Sequence, residues 1–519
     1  MGVDSAVDLR QDGRRRVHSR WSGVARQISA ISFCPQIRAM SDTMTQSESK
    51  TQLLNAERLA ADPRVAEAKR LLLQAVRESS ARIGGIRPAD PNRASFYQRW
   101  LDEFGKLRGG NLYFPYLASG LGNGPFVELA DGSVKLDFIT GIGVHGFGHS
   151  DLRLVESGID AALCDTLMQG NLQQGMESFE LVKLLVDLAT ESGSSLQHCF
   201  LSSSGAMANE NSLKIAFQRN APADRVLAFE GCFAGRTLAL AAITDKAAYR
   251  VGLPRTLEVD LLPFYDASRP AESTSAAVAQ MRHHLHRFPK SHACLWMELI
   301  QGEGGYYPGD TQFFRALIDL AREHDIAVIV DEVQSFGRTT RPFAFQHFAL
   351  DPWVDIVTIG KISQVCATLY RPEYKPQPGL ISQTFTASSF AILGATTILK
   401  NLLAGGQFGA EGRNQQLHRR FASELERIAG RHDQWIQGPF GIGAMIAFTP
   451  GDGSAETGKE MVKRLYDAGV MSFTAGSHPT RVRFLMPLGC TQFEHIDLAC
   501  QIIDGVVADM RAVRGTAPV

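Results

Sequence analysis

Two side chains in this sequence could form one reactive centre. Lys361 follows the apolar stretch Asp355-Ile356-Val357-Thr358-Ile359 after a single Gly360, and Asp331 closes the run Ile326-Ala327-Val328-Ile329-Val330. A lysine just past a buried strand can bind a phosphate, pair with an acid or form an imine. Imine chemistry needs a neutral amine, which a desolvated site supplies by lowering the lysine pKa. A carboxylate at the end of a buried strand is costly unless a cation meets it. A protonated pyridine nitrogen is one such cation, and a structural salt bridge or a helix cap is the plainer alternative. Two further stretches have the right composition for the same centre. Leu201-Ser202-Ser203-Ser204-Gly205-Ala206 precedes a helical pattern through Phe217, and small residues at a helix start let backbone N–H groups approach an anion. Glu230-Gly231-Cys232-Phe233-Ala234-Gly235-Arg236-Thr237 follows an apolar stretch and offers Phe233 as a ring that could stack.

These residues need a scaffold that brings strand ends together. Strand-like segments at 226–229, 293–300, 326–333 and 355–359 alternate with helical patterns such as 311–324. Continuous apolar runs suit strands buried on both faces, which predicts an α/β architecture with a mostly parallel sheet flanked by helices. Ligands of such sheets bind at the carboxyl ends of the strands, where Asp331 and Lys361 fall. Residues 126–140 read as short strands around a turn at Asp131-Gly132. Asp62-Pro63 starts a helix whose Val65, Ala68, Leu72, Ala75 and Val76 recur at helical spacing, with Gly84-Gly85 as a stop. The Gly-rich and polar stretch 402–414 marks the start of a smaller α+β C-terminal domain. The expected division is a disordered extension at 1–50, accessory helices and an N-terminal segment at 51–150, a large domain at 151–400 and a small domain at 401–519.

Composition narrows the classes. The 519 residues exceed one typical domain, and the hydrophobic share of 44% is ordinary for a globular protein. Lys plus Arg is 53 against 54 for Asp plus Glu, a net charge of −1, which offers no electrostatic footprint for nucleic acid. No uncharged apolar run is long enough to span a bilayer. Eight cysteines stand singly, without CxxC or zinc spacing, and read as free thiols in a reducing, cytoplasmic setting. The first forty residues are rich in arginine but also carry Asp4, Asp8 and Asp12, which transit peptides avoid; Met40 or Met44 as the true start is an alternative.

The motifs occur in a single recognisable order. Leu136-Asp137-Phe138 is followed by Gly141-Ile142-Gly143-Val144 and Gly148-His149, then by Ser204-Gly205-Ala206, the stretch 230–237, Glu298 to Gly305, Asp331-Glu332-Val333-Gln334, Thr358 to Lys361, and Arg481-Val482-Arg483-Phe484. Over roughly residues 110–510 this series resembles the class III aminotransferases, the fold-type I pyridoxal-phosphate enzymes that include ornithine, acetylornithine, lysine-epsilon and 4-aminobutyrate aminotransferases. The resemblance implies pyridoxal 5'-phosphate held as a Schiff base on Lys361, which also shuttles the substrate proton. Asp331 would keep the pyridine nitrogen protonated, making the ring an electron sink. Val333 and Phe233 would cover the ring faces, Gln334 would meet the ring hydroxyl side, and Glu298 would belong to the same shell. Ser204, Gly205 and Ala206 would hold the phosphate, joined by Thr384 from a second subunit, so a homodimer is implied. Arg483 would bind the carboxylate of an oxo acid such as 2-oxoglutarate, with Glu303 masking it while an omega-amine donor is bound, and Arg236 would meet a distal carboxylate.

The sequence departs from that family at Ala234, Leu299, the 334–339 loop and Thr386-Ala387-Ser388-Ser389. Gly360-Lys361-Ile362-Ser363-Gln364-Val365-Cys366 is nearest the lysine-epsilon version and leans toward a long omega-amino acid donor. The resulting expectation is transamination from an omega-amino acid to 2-oxoglutarate. The alternatives are a racemase, mutase or decarboxylase on the same scaffold, or a weakly catalytic module that binds the cofactor.

Overall fold

The computed structural model describes residues 53–515. The expectations for residues 1–50, including the start at Met40 or Met44, lie outside the described residues. Near the N-terminus, helix α1 (Pro63–Ser80) starts as its residues dictate: Pro63 occupies the first turn and the Asp62 side chain accepts from the Arg64 N–H. It ends at Ser80, before the glycines. Its inward face is Val65, Lys69, Leu73, Val76 and Ser80, while Ala68, Leu72 and Ala75 are exposed. The face is turned from the expected one because Lys69 reaches Asp160 at 2.7 Å and Glu156 at 3.3 Å on the helix Leu152–Ala162. Helix α2 (Pro91–Arg108) follows, then strands β1 (Ala118–Asn123), β2 (Phe126–Leu129) and β3 (Val134–Asp137). β2 and β3 form the hairpin expected around Asp131-Gly132.

The central sheet holds seven strands: β4 (His198–Ser202), β5 (Arg225–Phe229), β6 (Glu258–Leu262), β7 (His292–Met297), β8 (Ala327–Glu332), β9 (Ile356–Ile359) and β10 (Cys366–Tyr370). Their spatial order is β4-β10-β9-β8-β7-β5-β6. Only β10 runs against the others. The apolar runs are strands because both faces are covered. On β8, Val328 and Val330 join the core on one face with Leu295 and Val357, while Ala327 and Ile329 join the other with Trp296 and Ile356.

Helix α3 (Gly205–Arg219) crosses from β4, and α4 (Ser389–Ala404) ends just before the second unit. That unit contains α5 (Arg413–Arg431), strands β11 (Ile436–Phe440) and β12 (Ile446–Pro450), α6 (Ala455–Asp467), strands β13 (Phe473–Ala475) and β14 (Arg481–Phe484), and α7 (Phe493–Gly515). The N-terminal hairpin shares its core: Phe126, Val134 and Leu136 pack with Phe421, Met461, Phe484 and Met510. β3 also pairs in parallel with Val470–Met471. Among the described residues, no helix is long and apolar enough to cross a membrane.

Candidate active site

The parallel register of β8 and β9 sets Asp331 beside Thr358 and Glu332 beside Ile359. Lys361 therefore follows two residues past the end of β9, close enough for its charge to act on Asp331. Gly360 and Gly205 line this edge for a steric reason. A Cβ on Gly360 would stand 3.1 Å from Val333 Cγ1 and 2.9 Å from Cys366 Sγ, and one on Gly205 would stand 2.8 Å from Val333 Cγ1. The strand end, the lysine turn and the start of α3 thus close around Val333.

Asp331 is buried and held by neutral donors. It accepts the Asn209 amide at 2.6 Å and the Val333 N–H at 2.8 Å. Asn209 is itself fixed, donating to the Ala234 carbonyl at 2.7 Å and accepting from Thr358 Oγ1 at 2.6 Å. Burial pushes the Asp331 carboxyl up to about 6, and these donors and the Lys361 charge only partly restrain the rise. A carboxylate in that state is short of a cation, which is the condition a protonated pyridine nitrogen satisfies. Lys361 shows the complementary shift: burial pushes its amine down, and the nearby Asp331 and Glu303 charges do not fully offset this. The donor set therefore fits pyridoxal phosphate: a desolvated amine, a buried acid and the N-terminus of a 15-residue helix capped by the Ser204 side chain.

Glu298 is placed one step back from that set. Its two carboxylate oxygens accept the backbone N–H of Phe233 at 2.9 Å and of Gly302 at 3.0 Å. It thereby ties the Phe233 turn to the loop that carries Glu303. Burial, and then the charge of Asp331, raise its pKa to about 8. Phe233 is half-buried, with its ring edge-on to Tyr249 at 6.3 Å.

Arg483 on β14 is fully buried. Its Nη2 donates to Glu303 at 2.5 Å, and its Nη1 donates to Gln334 at 3.1 Å and to the Gly302 carbonyl at 3.3 Å. Burial works against both charges of the pair. The partner's charge, the hydrogen bond between them and further neighbours together exceed that cost, so Glu303 is held below the usual carboxylate range and Arg483 above its own. A cavity of about 300 Å³ opens beside the pair, with Phe233, Lys246, Glu303, Tyr307 and His478 in its wall.

Two residues named from the sequence stand at the exposed margin of this group within one chain. Arg236 is exposed and lies over the Tyr249 ring, 3.7 Å from its centroid. Thr384 is exposed on a loop pinned to the 169–171 segment, where Thr386 N–H donates to the Gln169 carbonyl at 2.8 Å and Asn171 N–H to that of Gln383 at 3.2 Å. Conversely, Asn209, Lys246, Tyr249 and Tyr306 were not singled out by sequence reasoning. Asn209 had a usable signal: it lies one turn after Gly205 on the helix, so it faces the same strand ends.

The family model for class III aminotransferases matches residues 114–507. The acetylornithine aminotransferase of Methanocaldococcus jannaschii is 29% identical over 410 residues, 75% of this chain and 93% of that protein. The diaminobutyrate–2-oxoglutarate transaminase of Nocardia farcinica is 28% identical over 395 residues, covering 74% and 88%. Among solved structures, the lysine aminotransferase from M. tuberculosis superposes with a TM-score of 0.69 at 24% identity, covering 79% of this chain and 99% of the other. The likeness to this structure is one of fold.

Proposed function

The chain belongs to the class III aminotransferases, which depend on pyridoxal phosphate, and we propose that it moves an amino group from an omega-amino acid to 2-oxoglutarate in two alternating half-reactions. The observation that carries this reading is the buried Arg483–Glu303 pair, with its 2.5 Å contact at the edge of an open cavity. A fixed guanidinium with a removable acid suits an enzyme that must take two unlike substrates in turn. With Glu303 on Arg483, a donor enters with its amine toward Lys361 and no carboxylate required at the arginine. With Glu303 withdrawn, the planar guanidinium fork takes the acceptor carboxylate in two parallel hydrogen bonds. The names of the relatives, acetylornithine aminotransferase and diaminobutyrate–2-oxoglutarate transaminase, support a donor that reacts through an amine remote from its carboxylate.

Pyridoxal phosphate, when bound, supplies a carbonyl to receive the amine and a ring that withdraws electrons from the reacting carbon. The residues do the rest. The Lys361 amine, whose charged form burial disfavours, is the point of attachment, and it then takes and returns the substrate proton. Asp331 offers its negative charge to the ring nitrogen, oriented by Asn209. Phe233 and Val333 cover the ring faces. Ser204, Gly205 and Ala206 present the α3 N-terminus to the phosphate. In balance, the donor loses its amine nitrogen and becomes an aldehyde or oxo acid, and 2-oxoglutarate gains that nitrogen and becomes glutamate.

The active unit in this reading is a homodimer in the cytoplasm. Leu172, Met176, Phe179, Phe385 and Phe390 are exposed around Thr384, an apolar surface that a second copy would cover while delivering Thr384 to the phosphate. The described cysteines are free thiols, which suits a reducing compartment. Half-reactions test the function. The loaded enzyme is mixed with ornithine, lysine, 4-aminobutyrate, acetylornithine or diaminobutyrate while cofactor absorbance is followed, then 2-oxoglutarate is added and glutamate measured. Bleaching followed by stoichiometric glutamate is expected; absence of bleaching with every amine refutes the reading, and a changed amine without glutamate points to a racemase, mutase or decarboxylase.

A further inference from the structure

Arg483 keeps one donor unspent. Its Nε meets no partner in full hydrogen-bond geometry, and neither does the hydroxyl of Tyr306, although both are buried and the two side chains already lie within range of each other. The guanidinium carbon lies 5.9 Å from the Tyr306 ring centroid. Orphaned polar groups are rare inside proteins and costly, so two side by side call for a reason.

The chain places Tyr306 there at a price in backbone strain. Ile300–Gln301 and Tyr307–Pro308 form a tight antiparallel pair, and the loop between them carries Glu303. Tyr306 closes that loop with φ at +62°, the left-handed region that a bulky aromatic seldom adopts. Its N–H donates to the Gln301 carbonyl at 2.8 Å, which locks the turn. One short loop thus sends both a carboxylate and a phenol toward the same guanidinium.

The phenol stays neutral. Burial pushes its pKa up, and the Arg483 and Arg338 charges nearby do not reverse this. A neutral phenol oxygen accepts from a guanidinium N–H. Arg338 itself is fully buried and donates only to the Gly143 and Met486 carbonyls, at 2.9 and 3.5 Å. It stands in no ion pair among the described residues. Arg483 and Arg338 are thus both buried here, and Glu303 is the acid with which Arg483 pairs. When Glu303 withdraws, Arg483 retains only the Gln334 side chain and the Gly302 carbonyl to hold it in plane.

We propose that Tyr306 is a positioning residue for Arg483, its hydroxyl accepting the Nε–H once Glu303 has left, so that the guanidinium fork stays aimed at the acceptor carboxylate. The inference rests on the proposed function and adds a residue that acts on one half-reaction and not the other.

Tyr306→Phe in the holoenzyme tests it. The substitution removes one oxygen and keeps the ring, so the thermal midpoint should stay close to that of the unaltered protein. Two quantities are read: the affinity for glutarate, a dicarboxylate that cannot accept an amine, by titration calorimetry; and KM and kcat for each half-reaction. The expected result is roughly a 10-fold loss of glutarate affinity and a similar rise in KM for 2-oxoglutarate, the scale of one hydrogen bond to a charged group, with the amine half-reaction altered less than about 2-fold. Unchanged glutarate affinity overturns the proposal. Equal losses in both half-reactions overturn it too, since they mark a purely structural role. If the unaltered enzyme neither binds glutarate nor uses 2-oxoglutarate, the proposed function itself falls, an outcome separate from a failure of Tyr306 alone.

Discussion

Removing Glu303 probes the centre of the proposed mechanism. In Glu303→Ala the Arg483 side chain, with no solvent exposure, loses the acid 2.5 Å away and keeps two neutral acceptors, Gln334 and the Gly302 carbonyl. Breaking a buried pair from one side costs about 3–5 kcal/mol, because the remaining charge is stranded. The neighbouring cavity of about 300 Å³ lets water reach the vacated place, which argues for the lower end. A loss of about 3 kcal/mol is expected in urea denaturation.

A carboxylate ligand should restore it. In the unaltered protein glutarate must displace Glu303, whereas in the variant the place is vacant, so the variant binds glutarate more tightly. At a concentration near 100 times its dissociation constant, a ligand stabilises by about 2.7 kcal/mol, close to the whole deficit. At the same concentration the unaltered protein gains less. The kinetic counterpart is a lower KM for 2-oxoglutarate and weaker discrimination between the two amines of a diamino acid, whose carboxylate now finds Arg483 uncovered. A variant as stable as its parent, or glutarate that stabilises both proteins equally, would falsify the view of Glu303 as a displaceable counter-ion.

Other expectations follow from the same site. In cofactor-free protein, Asp331 has its folded pKa raised from 3.8 to about 6, so its ionisation opposes folding and its contribution to stability falls as pH rises from about 4 to 6. Asp331→Asn should remove that slope and gain up to about 3 kcal/mol at neutral pH without cofactor, while abolishing most turnover with it; denaturation midpoints across pH check this, and an unchanged slope would count against it. Glu298→Gln puts an amide where two backbone N–H groups need acceptors, so one donor is left unmet at a cost of about 1–3 kcal/mol; urea denaturation reads the loss, and neutrality would show that Glu298 does not tie the two loops. Leu172→Asp, at a side chain 98% exposed in the single chain, should shift the protein toward monomer in analytical ultracentrifugation and weaken cofactor retention; a variant that stays dimeric removes this surface from the interface.

The parts of the site visible in the sequence are those that strand ends create. Asp331 and Lys361 each follow a continuous apolar run, and both runs are strands buried on two faces, so their ends could be placed before their neighbours were known. The Arg483–Glu303 contact joins residues 180 positions apart and was accessible only through resemblance. Tyr306 was invisible for another reason: its position depends on a left-handed turn, which Gly304-Gly305 permits but does not specify. The motif locates the backbone of Arg236, and its exposed side chain lies on Tyr249, the ring edge-on to Phe233. On α1, apolar spacing proposed one face, and a buried ion pair from Lys69 selected a neighbouring one. A long side chain with a charged tip can bury its stem and so count toward the inward face, which a purely apolar pattern overlooks.

The site combines two buried charges built on opposite terms. Asp331 is an acid left short of a cation, held by an amide, a backbone N–H and a lysine whose own charge burial disfavours. In the proposed function a cationic ring nitrogen would complete its environment, so the deficit would serve retention of the cofactor. Arg483 is a cation already compensated, by an acid on a loop bordering open space. In the proposed function that compensation is exchangeable, which would serve substrates that come and go. Glu298 connects the two halves, bonding the Phe233 turn on the cofactor side and Gly302, the residue before Glu303, on the substrate side. In the proposed mechanism, a displacement of Glu303 would reach the Phe233 turn through that one carboxyl group.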